Sequence, residues 1–136
     1  MTVSIIMPAY NSADYIGLSI QSVLNQTVSD WELLIADDAS TDNTVDVAAS
    51  FQDSRIIYMR SEENLGSAGA RNLALRKARG RYVAFLDSDD IWEAEKLERQ
   101  LAYMKSTGCT ISCTDYVKID ETSQVVSSTI HGPSEI

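Results

Sequence analysis

Tyr82-Val83-Ala84-Phe85-Leu86-Asp87-Ser88-Asp89-Asp90 is the stretch on which the reading of this chain turns. Five apolar residues run straight into an acidic group. An unbroken apolar run is what a strand buried on both faces of a parallel sheet requires. Open α/β sheets bind ligands just beyond the carboxyl ends of such strands, which is where the acidic group falls. In an extended segment Asp87 and Asp89 point to one side. Carboxylates that close repel each other unless positive charge sits between them. Mg2+ or Mn2+ supplies that charge, taking one or two carboxylates plus substrate phosphates as oxygen ligands. The plainer alternative is a helix start, with Ser88, Asp89 or Asp90 as its cap.

Outward from this stretch, apolar runs alternate with helical patterns. Val3-Ser4-Ile5-Ile6-Met7 is a short β-rich run that stops at Pro8. Ile16, Ile20, Val23 and Leu24 then repeat with helical spacing, and Asn11 with Asp14 resembles a capping pair. Trp31 to Ala36 reads as a second strand. Ser40 or Thr41 can cap a helix carrying Val45, Ala48 and Ala49. Arg55 to Met59 is a third strand. Gly66 to Gly69 opens a helix that buries Ala70, Leu73, Ala74 and Ala78 and ends at Gly80 as a C-cap. Tyr82 to Leu86 is the fourth strand. A fourth helix carries Ala94, Leu97, Leu101 and Met104, with Glu95 and Arg99 paired one turn apart. Thr110–Ile119 and Val125–Ile130 read as fifth and sixth strands. The alternation predicts an α/β fold, a mostly parallel doubly wound sheet with helices on both faces.

Three polar clusters follow predicted strands: Pro8 to Asn11, Asp37 to Asp42, and Asp87 to Asp90. Sequence does not fix strand order, but clusters at three strand ends can converge on one crevice. Asp37 and Asp38 suit a turn and helix cap; equally, one carboxylate can accept a hydrogen bond from a base N–H. Gly66-Ser67-Ala68-Gly69 lacks the third glycine of a dinucleotide fingerprint, and no Gly-Lys-Ser/Thr phosphate loop is present. Arg71 is expected in the first turn of the third helix, where a cation opposes the helix dipole. That placement points to an anionic or aromatic partner, or to a solvated side chain.

The chain has 136 residues and a formal net charge of −9, so it lacks the basic face that non-specific nucleic-acid binding needs. Cys109 and Cys113 share the even spacing of one strand face and read as two buried small residues rather than a disulfide framework. The runs Val3–Ala9 and Tyr82–Leu86 fall far short of the ~20 residues that span a bilayer. With no basic-then-apolar leader, the expected location is cytoplasmic. Arg71, Arg76, Lys77, Arg79 and Arg81 form one basic stretch that suits a helix's solvated face or peripheral contact with an anionic membrane.

Taken together, Pro8-Ala9-Tyr10-Asn11, Asp37-Asp38-Ala39-Ser40-Thr41-Asp42, Ala70-Arg71-Asn72 and Leu86-Asp87-Ser88-Asp89-Asp90 resemble the inverting family 2 glycosyltransferases in order and spacing. Ser22-Val23-Leu24-Asn25-Gln26-Thr27 and Gly80-Arg81-Tyr82-Val83-Ala84-Phe85 fit as well, so the resemblance runs from Val3 to Met104. The nearest likeness is to bacterial enzymes that build teichuronic acid or other surface polysaccharides. The resemblance implies an A-type glycosyltransferase fold, a nucleotide-diphosphate sugar (UDP-linked in most lookalikes), and Mn2+ or Mg2+ as cofactor. It implies that Pro8 and Tyr10 frame the base and ribose, that Asp38 and Arg71 reach the base, that Asp87 approaches the ribose, and that Asp89 binds the metal. The acceptor would be a glycan or a lipid-linked sugar. On this reading positions 1–136 form the donor part of the catalytic domain. The acceptor-binding segment and the general base are expected beyond Ile136. Two other readings remain. One is a phosphohydrolase using an aspartyl nucleophile, which shares the strand-then-Asp-x-Asp form. The other is a non-catalytic nucleotide-binding module.

Overall fold

The computed structural model describes residues 1–132; positions 133–136, the last of the expected 1–136 donor region, lie outside the described residues. The chain divides into two compact units, Met1–Lys96 and the stretch from Leu97 onward.

The first unit runs β1 (Val3–Ala9), α1 (Ile16–Leu24), β2 (Trp31–Asp37), α2 (Thr44–Ala49), β3 (Ile56–Arg60), α3 (Gly66–Leu75) and β4 (Tyr82–Phe85). The four strands form one sheet in the order β3-β2-β1-β4, and all three pairings are parallel. The chain steps outward from β1 to β2 to β3, then returns to place β4 on the opposite side of β1. The strand order therefore reverses between β1 and β4.

Every residue of β1 and β2 is buried, as central strands of a parallel sheet covered on both faces require. Ile6 lies opposite Leu34 in the register, and both meet α3 through Ala70 and Ala74. Those two alanines are four apart, one helical turn, so they share a face and let the helix approach closely. The opposite sheet face, with Ile5, Met7, Leu33 and Ile35, is equally buried. In this unit α1 and α2, which pack on each other, supply the remaining helix surface.

β4 departs from expectation. An unbroken apolar run predicts cover on both faces, yet Val83 and Phe85 are exposed. As an edge strand it pairs only with β1 among the described residues.

Several local expectations are corrected. Asn11 and Asp14 do not cap α1, which starts after Tyr15 without a side-chain cap. Asn11 has a left-handed φ of 47°, and its Oδ1 accepts instead from the Thr41 N–H at 2.8 Å. Ser40 and Thr41 do not cap α2 either. The Ser40 hydroxyl is taken by Asp37, and Asp42 Oδ1 accepts the Thr44 N–H at 3.0 Å. α3 stops at Leu75, so Gly80 is not its C-cap.

Gly80 has another reason to be glycine. A Cβ there would fall 2.7 Å from the Val3 carbonyl carbon and 2.8 Å from Ser4 Oγ, inside the β1 backbone. Beside it lies Glu32, a wholly buried carboxylate in an otherwise apolar part of β2. Its Oε1 accepts from Ser4 Oγ at 2.6 Å and from the Arg79 N–H at 2.8 Å. Its Oε2 accepts from the Arg79 guanidinium at 2.7 Å. Burial pushes this carboxyl up, but the hydrogen bonds from Ser4 and Arg79 and the guanidinium charge outweigh it and hold the group below the usual range. A carboxylate with a depressed folded pKa stabilises the fold above its unfolded pKa, and that contribution fades as pH falls through the folded value. Urea midpoints are therefore expected to fall as pH drops below about 4.5. Glu32→Gln should flatten that decline; an equally steep acid limb in the variant would refute the assignment.

α4 spans Lys96–Thr107, all but its first residue in the second unit, so Ala94 and Glu95 precede the helix rather than belong to it. The expected fifth and sixth strands are not strands of the sheet. Tyr116–Ile130 and Ile119–Val125 form two isolated antiparallel bridges. Tyr116, Val125 and Val126 are exposed, and a two-stranded ladder without a covered apolar face is marginal. Cys109 is half-buried and Cys113 exposed, contrary to the expected buried pair.

Candidate functional site

Two of the three polar clusters meet where the strand order reverses. A cleft of about 320 Å3 opens there, lined from the β1 side by Pro8, Tyr10, Asn11, Ser12 and Tyr15. Asp87, Ser88 and Asp89 line it from the β4 side, and Ser67 and Arg71 from α3. Five of the six residues singled out from sequence thus surround one volume, at the topological position where α/β sheets bind ligands.

Asp38 is the exception. It follows β2, one strand away from the reversal, and it is buried. Its Oδ1 accepts the Leu65 N–H at 2.6 Å and lies 3.3 Å from Ser61 Oγ. Asp37 is wholly buried and committed to structure. It accepts from the Ser40 N–H at 3.0 Å and Tyr58 Oη at 2.5 Å, and faces the Arg60 guanidinium at 3.6 Å. Burial and this neighbouring carboxylate push the Tyr58 phenol far above its ordinary range. The third cluster therefore acts on the cleft through Asn11, whose N–H donates to Ser40 Oγ at 2.9 Å.

Asp87 to Asp90 is a turn rather than extended chain, closed by the Asp90 N–H on the Asp87 carbonyl at 3.1 Å. The turn, not strand alternation, brings Asp87 and Asp89 to one cleft. Arg71 donates to Asp87 Oδ1 at 2.6 Å and to Ser67 Oγ at 2.7 Å. It stands in the second turn of α3, since the helix begins at Gly66, and its anionic partner is Asp87. The Asp89 carboxylate accepts no hydrogen bond among the described residues. Partial desolvation, then the charges of Asp89 and Asp87, raise the Asp90 carboxyl above the usual range, which marks excess negative potential at the turn.

Among the described residues no three His, Cys, Asp or Glu side chains converge as a metal cage. A cation here would draw on Asp89 and a neighbouring carboxylate, with the balance from water and ligand oxygens. That donor set is the one Mg2+ and Mn2+ accept at phosphate sites, so the residues fit such an ion.

Sequence reasoning missed Ser12 and Ser19, and read Ser88 as a cap candidate without the partners it has here. Ser12 Oγ lies 2.8 Å from Ser88 Oγ, and Ser19 Oγ donates to the Ser88 carbonyl at 2.9 Å. The available signal was Ser19, a polar residue on the apolar stripe of α1 between Ile16 and Ile20. Tyr15, also missed, stands half exposed at the cleft mouth, with nothing in the sequence pattern to mark it.

The sequence model of glycosyl transferase family 2 matches residues 4–132. The chain belongs to glycosyl transferase family 2. It is 46% identical over 136 aligned positions to TuaG of Bacillus subtilis, a glycosyltransferase assigned to teichuronic acid biosynthesis, covering 98% of this chain and 54% of that protein. It is 50% identical over 123 positions to WfgD of Escherichia coli, a UDP-Glc:alpha-D-GlcNAc-diphosphoundecaprenol beta-1,3-glucosyltransferase, covering 90% and 49%. The chain thus spans about half the length of these curated relatives. Among solved structures it is similar to Staphylococcus aureus TarS 1-349 in complex with UDP-GlcNAc, with a TM-score of 0.74 and 33% identity over 78% of this chain and 32% of that one. It is also similar to the mannosyltransferase PcManGT of Pyrobaculum calidifontis in complex with GDP-Man and Mn2+, at 0.69 and 30% over 75% and 32%. The expected A-type glycosyltransferase fold and family are borne out. No helix among the described residues is long and apolar enough to cross a membrane.

Proposed function

We propose that this chain is the part of an inverting glycosyltransferase that grips a nucleoside-diphosphate sugar, with Mn2+ or Mg2+ held at Asp89. The observation that carries the reading is a cleft at the β1–β4 reversal in which Pro8, Tyr10, Arg71, Asp87 and Asp89 meet. Pro8 and Tyr10 frame the base and ribose, and Asp87 approaches the ribose. Arg71 is held by Asp87 in the free protein, and a bound nucleotide competes for that guanidinium. Asp38 serves the base only through an oxygen other than the Oδ1 already committed to Leu65. The cation, when bound, supplies Lewis-acid stabilisation of charge on the departing nucleoside diphosphate.

UDP is the favoured carrier, because WfgD uses UDP-Glc and TarS binds UDP-GlcNAc. The acceptor is a surface-glycan or lipid-linked sugar, presented at the inner face of the membrane. The acceptor's general base is assigned to the half of the relatives that this chain does not span. The 136-residue chain is accordingly a binder that transfers little or no sugar by itself.

Calorimetry with UDP tests this. UDP should bind with a Kd in roughly the micromolar range in Mn2+ and at least about tenfold more weakly in chelator. Binding that ignores the cation, or none at all, would leave a nucleotide-binding module or an unrelated ligand as the better account.

A further inference from the structure

The acidic turn that ends in Asp90 is followed by a segment with no regular structure up to Lys96. A loop bearing three aspartates would spread under its own repulsion unless something fixed its backbone. The fixing comes from one face of α1 and the residues after it. Ser19 Oγ holds the Ser88 carbonyl at 2.9 Å, and Ser22 Oγ accepts the Trp92 N–H at 3.2 Å. Gln26 Nε2 donates to the Glu93 carbonyl at 2.8 Å, and the Thr27 N–H donates to the Ala94 carbonyl at 3.0 Å. Four tethers, each about a turn or less from the next, thus meet four points of the loop in parallel. On the other side Ser12 reaches Ser88 Oγ.

These serines are buried, with Ser19 wholly so. A buried hydroxyl is tolerated only when hydrogen-bonded, and an alanine at position 19 would suit the apolar stripe of α1 better. The bond to Ser88 is what Ser19 offers in return. Ser88 is itself small and buried between Ser12 and Ser19, so the residue between the two cleft aspartates is the anchored point of the turn. The carboxylates on either side are left to face the cleft.

We infer that Ser19, seconded by Ser12, is a positioning residue: it sets where the Asp89 carboxylate stands, and so controls how strongly a divalent cation enhances nucleotide binding. This rests on the proposed function, and it assigns Ser19 a role in cation affinity although Ser19 itself does not line the cleft.

The test compares UDP affinity with and without Mn2+ for the parent chain, Ser19→Ala and Ser88→Ala, with thermal unfolding alongside. Groups that orient a metal ligand without touching the metal typically change affinity by about tenfold or more. Ser19→Ala should therefore lose about tenfold of the Mn2+ enhancement while its affinity in chelator stays within about twofold, and Ser19→Thr, which keeps the hydroxyl, should recover most of the loss. Ser88→Ala keeps the Ser88 carbonyl that Ser19 holds and removes only the Ser12 contact, so it should lose less than Ser19→Ala; should Ser19→Ala fail to fold, Ser19→Cys, which fills the same space with a weak donor, takes its place, and an undiminished Mn2+ enhancement in Ser19→Cys would overturn the inference. Equal Mn2+ enhancement in parent and Ser19→Ala, or a parallel fall with and without Mn2+, overturns the positioning role alone. No enhancement in the parent chain overturns the proposed function and this inference with it.

Discussion

Asp89→Asn, placed in the full-length enzyme, is expected to lower sugar transfer about a thousandfold while leaving the fold intact. The magnitude follows from the several kcal/mol, about 4, that a bound cation contributes to charge on a leaving group, at about 1.4 kcal/mol per factor of ten. The separation from stability follows from surroundings. The Asp89 carboxylate is exposed and accepts no hydrogen bond among the described residues. Its charge is one reason the Asp90 carboxyl is raised, so removing it relieves repulsion within the turn. Substitutions at such sites change stability by about 0.5 kcal/mol or less. Asp87→Asn should behave differently, because it also deprives Arg71 of its ion-pair partner at 2.6 Å. Transfer rates and melting curves for the two variants check both statements. Undiminished transfer by Asp89→Asn would remove the cation from the account.

What the sequence made legible depended on what each signal measures. Helical and strand periods report which residues face the core, and the first four strands and three helices were placed within a few residues for that reason. Neither period reports partners across the sheet. Strand order therefore had to come from the structure, and with it the reason that Asp87 and Asp89 share a cleft with Pro8 and Tyr10 while Asp38 does not. Capping was misjudged because Asn11 and Ser40 spend their side chains on each other's loops across about thirty positions of sequence. Local rules cannot see that reach. Thr110 to Ile130 has strand-like composition, but among the described residues Ile111, Tyr116, Val125 and Val126 stay exposed and the segment forms isolated bridges. The motif Ser22 to Thr27, recognised from likeness alone, acquires a physical reason in the tethers to Trp92, Glu93 and Ala94.

Gly80→Ala is expected to lower the melting temperature by about 10 °C or prevent folding, far more than Gly66→Ala. The two glycines are glycine for different reasons. Gly66 has a φ of +75° and nothing within 4 Å of the place where a methyl group would stand, so alanine there costs only backbone strain, about 1 kcal/mol. Gly80 has no unusual φ but no room. Its Cβ would meet the main chain of Val3 and Ser4, and main chain in a parallel ladder cannot rotate aside as a side chain can. β4 begins two residues later, paired with Val3 through the Tyr82 N–H on the Thr2 carbonyl at 2.9 Å. To admit a methyl group, β4 must move off β1. That movement also breaks the Gly80 N–H bond to Ser4 Oγ at 2.7 Å and loosens the Ser4–Glu32–Arg79 network around a buried carboxylate. Overpacking alone costs about 1–3 kcal/mol, and disturbing a buried ion pair adds to it. At roughly 3–4 °C per kcal/mol for a domain of this size, about 3 kcal/mol gives the stated shift. The contact lies at the amino ends of β1 and β4, away from the cleft beyond their carboxyl ends, so below the melting point UDP affinity should stay close to the parent's in both variants. A Gly80→Ala chain that melts within about two degrees of the parent would show that β1 and β4 can part at their amino ends without loss, and the close contact at Gly80 would then not be what fixes this pairing.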